Sequence, residues 1–393
     1  MKKRNDFGAV SVEILLVPVV LIAALLYFSS ARVEPVEPGR PIPIENPEIG
    51  INPVEPPSIQ ISGELVEPTP AKEDDGKLDI VTSLEDAVDE NAAWCGIFNL
   101  IWNDLRDDIA KQDIIFAVQN EVVKNLNKGT FTVEDIAEAS YYKTYGAPTL
   151  ELKAEIEKAI KDKFNQKSDI LDDFQWTGDP NDYFLYGMLY KEFEFPKVFT
   201  KLEKGAFGDG QTATYFGIDG TTKSEVKNQV KVLYYYSEDD FAIKLETKQN
   251  DEVIIAVGTK ANTFLDIYNS IQARAQKYEG AQYLKERDRV KIPNIEFNLK
   301  EEIEEVQNQP FMLANGREYV IYKALQTIQF ELDEEGGRIK SEAGIGMKNT
   351  SIAMPETPRN FYVDQAFTIF LVEEGEELPY FAAKISDIEN IQK

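Results

Sequence analysis

The feature that most restricts how this chain folds is a strand-like pattern that continues through a glycine-containing segment near the C-terminus. An apolar run at 319–332 is followed by two glutamates, two glycines and small or polar residues, and then by apolar segments at 367–372 and 380–385. From 337 to 348 small or apolar residues alternate with mostly charged ones, which is the period of a strand with one buried face. The glycines and later prolines are typical of a loop. The sequence therefore predicts an exposed loop that is able to become a strand.

The order of these segments resembles the C-terminal part of the serpin family. The resemblance is carried by the run ALQTIQFELDEEGG, by the SEAG that comes after it, and by the closing run NFYVDQAFTIFLVEEGEELPYFAAKISD. In that family a sheet strand leads into a glutamate–glycine hinge, the hinge opens into an exposed reactive-centre loop, and two closing strands lie behind it. The resemblance covers about residues 94–127 and 149–387, so the chain resembles a divergent, N-terminally trimmed bacterial member of the family.

The resemblance implies a mixed α+β fold with a large central sheet, a second antiparallel sheet and helices packed on one side. Apolar runs and period-two patterns predict strands. They are expected at 113–116, 183–190, 213–218, 230–236, 241–247, 252–257 and 291–297. Apolar residues three and four positions apart predict amphipathic helices. They are expected at 94–105, 118–128, 152–164 and 264–275, the last capped by Asn262, and a small one is expected to begin at Thr132.

The composition excludes several classes of function. A formal charge of −27 argues against nucleic acid as a partner, because phosphate binding needs clustered lysine and arginine. The absence of histidine removes Ser-His-Asp and Cys-His pairs and imidazole metal sites. The single cysteine, Cys95, excludes an internal disulfide and is predicted to be an inert core thiol. We therefore expect no enzyme activity, no catalytic residue, no metal and no small-molecule cofactor.

Two short motifs and the paired acidic residues are predicted to carry no chemistry. The segments 140–143 and 224–227 match Ser-x-x-Lys, but the companion motifs of penicillin-recognising enzymes are absent. Acidic pairs such as Glu373 and Glu374 fall at predicted strand ends and turns. They are expected to form a solvated surface.

The N-terminal segment predicts a membrane anchor. Residues 1–32 contain a basic start, an apolar stretch at 14–28 and a further arginine, which indicates a single-pass signal anchor in the cell membrane with the C-terminal domain extracellular. Residues 33–77 are rich in proline and glutamate and are predicted to be an extended linker, and 78–393 are the serpin-like domain. An alternative interpretation is a pilin-like leader cleaved after Gly8, which would make the protein a surface assembly subunit.

The predicted site lies in the loop. The resemblance implies a hinge whose inward face is small or apolar. Its residues are Glu334, Gly336, Gly337, Ile339, Ser341 and Ala343. The family's usual distance from the hinge glutamate puts the cleaved bond between Thr350 and Ser351. The bond between Lys348 and Asn349 is the alternative and would suit a trypsin-like protease.

The function that the resemblance implies is a membrane-tethered extracellular inhibitor of a serine or cysteine protease. The protease would cleave the loop, and the freed strand would insert into a vacant position of one sheet, between the strands at 183–190 and 319–333. Many serpins carry a histidine beneath these strands, and this chain has Gln326 there. The alternative is a serpin-like surface module that binds a partner without inhibition.

Overall fold

The structure, a computed structural model, describes residues 78–88, 91–337 and 357–392. These residues belong to one unit, which spans Ala71–Lys393. The predicted anchor, the whole of the predicted linker and the part of the loop after Gly337 lie outside the described residues. Among the described residues, no helix is both long enough and apolar enough to span a bilayer.

Strands make up most of the described chain. In order they are β1 (Asp79–Ile80), β2 (Ala92–Cys95), β3 (Tyr141–Gly146), β4 (Phe184–Leu189), β5 (Phe193–Glu194), β6 (Thr200–Phe207), β7 (Gln211–Ile218), β8 (Val230–Ser237), β9 (Asp240–Glu246), β10 (Asp251–Val257), β11 (Arg289–Pro293), β12 (Ile295–Glu302), β13 (Pro310–Met312), β14 (Glu318–Val320), β15 (Leu325–Leu332), β16 (Gly336–Gly337), β17 (Asn360–Tyr362), β18 (Phe367–Glu373) and β19 (Phe381–Ile385).

The helices are short except for two. They are α1 (Ile97–Asn103), α2 (Glu121–Asn127), α3 (Leu150–Phe164), α4 (Ser224–Lys227) and α5 (Phe264–Lys277). A π-helical stretch, Asp104–Ala110, extends α1. The side chain of Thr149 caps α3 by accepting from the Leu152 N–H. The corresponding cap of α5 is Thr263 and not Asn262, because the Thr263 hydroxyl accepts from the Asp266 N–H.

A large sheet and a smaller second sheet form the centre of the fold. The large sheet has seven strands in the order β1-β2-β19-β18-β10-β9-β8, and the second has four in the order β17-β11-β7-β6. Every residue of β18 is buried, as expected for the middle of a sheet covered on both faces. The mixed α+β class with two principal sheets is confirmed, and so are the hairpins predicted from 230 to 257.

Two small sheets hold the strands that matter for the site. β3 pairs antiparallel with β4, and β12 pairs antiparallel with β15. A further short pairing joins β5 to β16 at the hinge. The strand predicted at 183–190 and the second part of the run predicted at 319–332 therefore belong to different small sheets, and both border one cavity.

The predictions for the first part of the domain are partly wrong. Trp94 lies in β2, where it pairs with Ala382 of β19, and the helix begins only at Ile97. The segment at β2 was predicted as helix because a short strand buried on both faces has an unbroken apolar run, and its period does not distinguish it from a helix. Residues 113–116, which were predicted as a strand, form none. The predicted inward stripe is also shifted, because Val118 is 74% exposed and α2 begins at Glu121.

Three further segments differ from prediction because long-range pairing overrides the local pattern. No helix begins at Thr132; the small helical element of this interval is a 3₁₀ turn, Glu138–Ser140, which leads directly into β3. The strand predicted at 291–297 is divided at Asn294 into β11 and β12, which belong to different sheets. The apolar run 319–332 contains two strands, β14 and β15, with no strand between them.

Candidate functional site

A gap lies between β4 and β15. Each strand is half of a two-stranded sheet, and the two facing edges border a cavity of about 500 Å³. Residues 182–193 form one wall and 319–331 the other, and α1 forms the floor with Ile97, Phe98, Ile101 and Trp102. The strands lie where the sequence predicts them, but the expectation that they belong to one hydrogen-bonded sheet is wrong. The structure contains two separate two-stranded sheets, β3–β4 and β12–β15, which border the same cavity.

β4 and β15 each have one edge that is not paired with another strand. Within the described residues, the only ladder of β4 is with β3 and the only ladder of β15 is with β12. The second edge of each strand has no ladder within the described residues, and both strands border the cavity. A strand placed in the gap would gain a ladder on both of its sides.

The two faces of β4 contact different apolar clusters. One face packs under α3, in a cluster that contains Phe184, Tyr186, Ile156 and Ile160. The opposite face, with Leu185, Gly187 and Leu189, is directed to the main core. A Cβ at Gly187 would lie 2.8 Å from Ile97 and Ile101, so glycine permits the close approach of β4 to α1.

β15 shows the alternation that its sequence predicts. Gln326, Ile328, Phe330 and Leu332 are buried, whereas Gln329 is exposed. Both walls of the gap therefore have a defined inner face and a defined outer face. Any strand that enters between them has to present small or apolar side chains to the inner face.

Gln326 is the polar group on this inner face. It is only 3% exposed, and its Nε2 donates to the backbone oxygen of Cys95 at 3.2 Å. The other side-chain atom, Oε1, is buried without a partner among the described residues. A buried oxygen without a donor is destabilising. Burial raises the pKa of the Cys95 thiol to about 11, in agreement with the inert thiol predicted from sequence.

The hinge is held at one end of the gap. Glu334 is buried, its side chain pairs with Lys201 (Oε1 to Nζ, 2.6 Å), and its backbone oxygen accepts from Phe199 N–H. Gly336 and Gly337 then pair antiparallel with β5. The predicted hinge residues Glu334, Gly336 and Gly337 are thus brought together. Of the other predicted site residues, Ile339, Ser341, Ala343, Thr350 and Ser351 lie outside the described residues.

Glycine is required at position 336 for two physical reasons. Its φ is +132°, and a Cβ there would lie 2.4 Å from the backbone oxygen of Phe193. We expect Gly336→Ala to lower the free energy of unfolding by about 1–3 kcal/mol, measured by urea unfolding. The control is Gly375→Ala, where φ is +97° but nothing lies within 4 Å. An equal loss in both variants would contradict the role of the Phe193 contact.

A buried ion cluster joins the start of the gap to the large sheet. Lys191, just after β4, contacts Asp251 of β10 (Nζ to Oδ1, 2.7 Å) and Glu373 of β18. The Tyr380 hydroxyl donates to Asp251 at 3.1 Å, and the Ser140 hydroxyl donates to Glu373 at 2.8 Å. Burial raises the pKa of Asp251. Burial alone would raise the pKa of Glu373, but hydrogen bonds from Lys191, the Ala137 N–H and the Ser140 hydroxyl stabilise the carboxylate. These bonds outweigh burial, so the pKa of Glu373 is lowered.

The sequence prediction missed this cluster. Glu373 was expected on a solvated surface, but it is only 8% exposed, whereas its neighbour Glu374 is exposed as predicted. The available signal was the position of Glu373 directly after the mainly apolar segment 367–372. That position is compatible with burial of Glu373, but it does not identify Lys191 as its partner, because Lys191 is distant in the sequence.

Comparison with known proteins yields structural matches only. No family model and no curated protein matches the chain. Serpin48 of the insect Tenebrio molitor matches at 16% identity with a TM-score of 0.35, covering 69% of this chain and 72% of that one. Native protease nexin-1 with heparin matches at 12% identity with a TM-score of 0.47, covering 75% of this chain and 92% of that one. Mouse protein Z-dependent protease inhibitor matches at 11% identity with a TM-score of 0.42, covering 76% and 91%.

The matched structures have the serpin-like fold that the sequence predicts for this chain. Their identities are 11–16%, so the likeness concerns the fold and not the activity. Because the TM-scores lie below 0.5, the function has to be inferred from the geometry of this chain.

Proposed function

We propose that the protein is a membrane-tethered, extracellular inhibitor of a serine or cysteine protease that acts by cleavage and insertion of its own loop. The observation that carries the proposal is the gap between β4 and β15, with the hinge paired to β5 at one end of it. The chain that leaves the hinge has the strand period and the small inward residues that the gap requires.

The chemistry starts as an ordinary proteolytic reaction. The nucleophile of the protease attacks the carbonyl carbon of Thr350, the bond to Ser351 breaks, and the amine of Ser351 leaves with a proton. The carbonyl carbon of Thr350 is then bonded to the protease, as an ester for serine or a thioester for cysteine. Insertion of the segment after Gly337 carries the acylated protease along the sheet. The inserted state is favoured by the new backbone ladders and by burial of apolar side chains.

A protease panel tests the proposal. The full-length protein in detergent is mixed with serine and cysteine proteases and analysed on a denaturing gel. We expect a covalent complex whose mass is that of the protease plus the N-terminal part of the chain. We also expect the Tm to rise by about 10 °C or more after loop cleavage, because a whole strand gains hydrogen bonds. Each protease blocked beforehand at its active site is the control and should give no complex.

The cavity itself favours one second candidate, a binding module without inhibition. Its volume of about 500 Å³ and its largely apolar floor lie in the range of small-molecule sites. In that case the loop would be cut without formation of a complex and without a rise in Tm. The same panel therefore separates the two functions.

The tether is proposed from the sequence of residues 1–32, whose apolar stretch at 14–28 comes after basic residues. Fractionation of cells with and without this segment tests it, and retention of the truncated protein in the membrane fraction would contradict it. N-terminal sequencing decides the pilin-like alternative, which requires a mature chain that begins at Ala9.

A further inference from the structure

We infer that the cavity between β4 and β15 binds an uncharged, flat ring compound at its aromatic end, which is formed by Phe174, Tyr183, Tyr319 and Tyr322. The inference specifies a ligand class for the second candidate function, binding without inhibition, and it rests on that function. It uses only residues in the walls and floor of the cavity.

The two ends of the cavity differ, and β4 and β15 run in the same direction between them. Near the start of β4, the rings of Tyr183 and Tyr319 lie 5.9 Å apart, and Tyr319 precedes β15 in the chain. Beyond the ends of both strands, Phe193 pairs with Gly337. The first end of the cavity is therefore aromatic, whereas the second end lies near the hinge and Lys191.

Aromatic rings from both walls contact one another at the aromatic end. Tyr183 belongs to the β4 wall and Tyr319 to the β15 wall, and the planes of their rings are inclined by 53°. Phe174 contacts Tyr322 edge to face, with ring centroids 6.4 Å apart, and contacts Phe184 at 5.0 Å. Rings arranged in this way offer both faces and edges to a further ring. A flat ring compound is the ligand that gains most from them.

The aromatic end is partly exposed, although its residues also border the cavity. Tyr183 is 43% exposed and Tyr322 is 50% exposed, and Val320 is exposed as well. Phe311 and Leu313 border the same cavity and are buried. One exposed tyrosine would need no explanation, but here the exposed apolar surface continues into the interior. Such a surface is typical of a binding site.

The interior has the size and lining of a site for a small apolar molecule. Its volume is about 500 Å³, and ligand sites measure roughly 300–1,000 Å³. The floor consists of Ile97, Phe98, Ile101 and Trp102, and Leu185 adds an aliphatic side chain from β4. Burial of ring surface against these side chains favours binding.

The charges around the cavity disfavour an acidic ligand. Lys191 and Lys323 border the cavity, and both are held in ion pairs with carboxylates of the protein. Lys167, which also borders it, is exposed, and Asp182 precedes Tyr183 at the aromatic end. A carboxylate buried on a ligand would therefore lie among groups that do not compensate its charge, which is strongly unfavourable. The ligand that fits is uncharged.

Calorimetric titration with 2-naphthol, an uncharged compound of two fused rings, tests the inference. The full-length protein is reconstituted in lipid discs, and empty discs give the blank for partition into lipid. We expect saturable binding to a single site per chain with a Kd of about 100 μM or tighter. For 2-naphthoate, which has the same rings and a carboxylate, we expect a Kd at least about tenfold higher.

The exposed tyrosines provide matched variants. The double variant Tyr183→Ala with Tyr322→Ala removes two rings of the aromatic end, and we expect it to raise the Kd for 2-naphthol about tenfold. The control is Tyr283→Ala, because Tyr283 is exposed and is not among the described lining residues. It is expected to leave the Kd unchanged. Leu185→Trp fills the cavity from the β4 wall and is expected to abolish binding, and urea unfolding checks that each variant is folded.

The outcomes separate this inference from the proposed inhibition. Binding of 2-naphthol that is weakened in the double variant and unchanged in Tyr283→Ala supports the inference. The inference is overturned if there is no saturable binding, if 2-naphthoate binds equally well, or if the double variant keeps the original Kd. A covalent protease complex without binding of 2-naphthol overturns the inference and leaves inhibition in place. Binding of 2-naphthol without such a complex supports the inference and overturns inhibition.

Discussion

Ala343→Glu is expected to convert the proposed inhibitor into an ordinary protease substrate. In the proposed insertion, the alternating pattern of the loop places this side chain on the inward face, toward the cavity that α1 lines with Ile97 and Ile101. Burial of an unpaired carboxylate among apolar groups is strongly unfavourable, so insertion is blocked. The cleaved bond lies seven residues away in sequence and is unchanged. We expect the protease to cut the loop at an unchanged rate, while the covalent complex and the rise in Tm are both lost.

The matched control is Glu342→Lys. Residue 342 is adjacent in sequence but falls on the outer face, so this variant is expected to retain the complex. The gel that detects the complex also gives the ratio of complex to cleaved protein for both variants. If Glu342→Lys abolished the complex and Ala343→Glu did not, the assignment of the two faces would be wrong.

Lys191→Met is expected to lower the free energy of unfolding by about 3–5 kcal/mol. The substitution leaves Asp251 and Glu373 buried without their cation, while the aliphatic part of the side chain is retained. Urea unfolding of the intact protein at neutral pH measures the effect. The matched control is Lys158→Met, which removes a lysine from the exposed ion pair with Asp162 and is expected to change stability little.

The pH dependence of this loss has a defined sign. In the native protein the pKa of Glu373 is held below its ordinary value of 4.5, so the stability it contributes is present above that value and is lost as the pH falls. Without Lys191, burial and the neighbouring carboxylate favour protonation of both acids. The difference between the variant and the native protein should therefore shrink as the pH falls from 7 toward 4.5. A constant difference would contradict the ion cluster as its cause.

The parts of the fold that were predicted from sequence are those specified locally. The β8–β9–β10 hairpins have clear strand patterns with polar turns between them, and α3 has its apolar stripe and its cap at Thr149. β2 was missed because its residues are buried by strands on both sides, and one of these, β19, lies near the opposite end of the chain. The pattern of apolar residues within β2 gives no indication of its pairing with a strand so distant in the sequence.

The candidate site also has parts that could be expected from the sequence and parts that could not. The hinge at Glu334, Gly336 and Gly337 was expected through the family resemblance, and the glycines after the acidic pair indicate only a loop at that point. The gap could be expected only through the resemblance, and its division into two half-sheets could not be expected at all. Lys191 and Gln326 acquire their roles from partners that are distant in the chain, and sequence spacing does not reveal them.

The separate apolar cluster under α3 has a mechanical consequence. β3, β4 and α3 hold one another through that cluster, so they form a panel with its own interior. The panel contacts α1 at Gly187, and because glycine has no side chain, no side chain of that residue projects into this contact. Room for an additional strand can therefore come from sliding of the whole panel across α1, a shear that keeps the panel's interior intact.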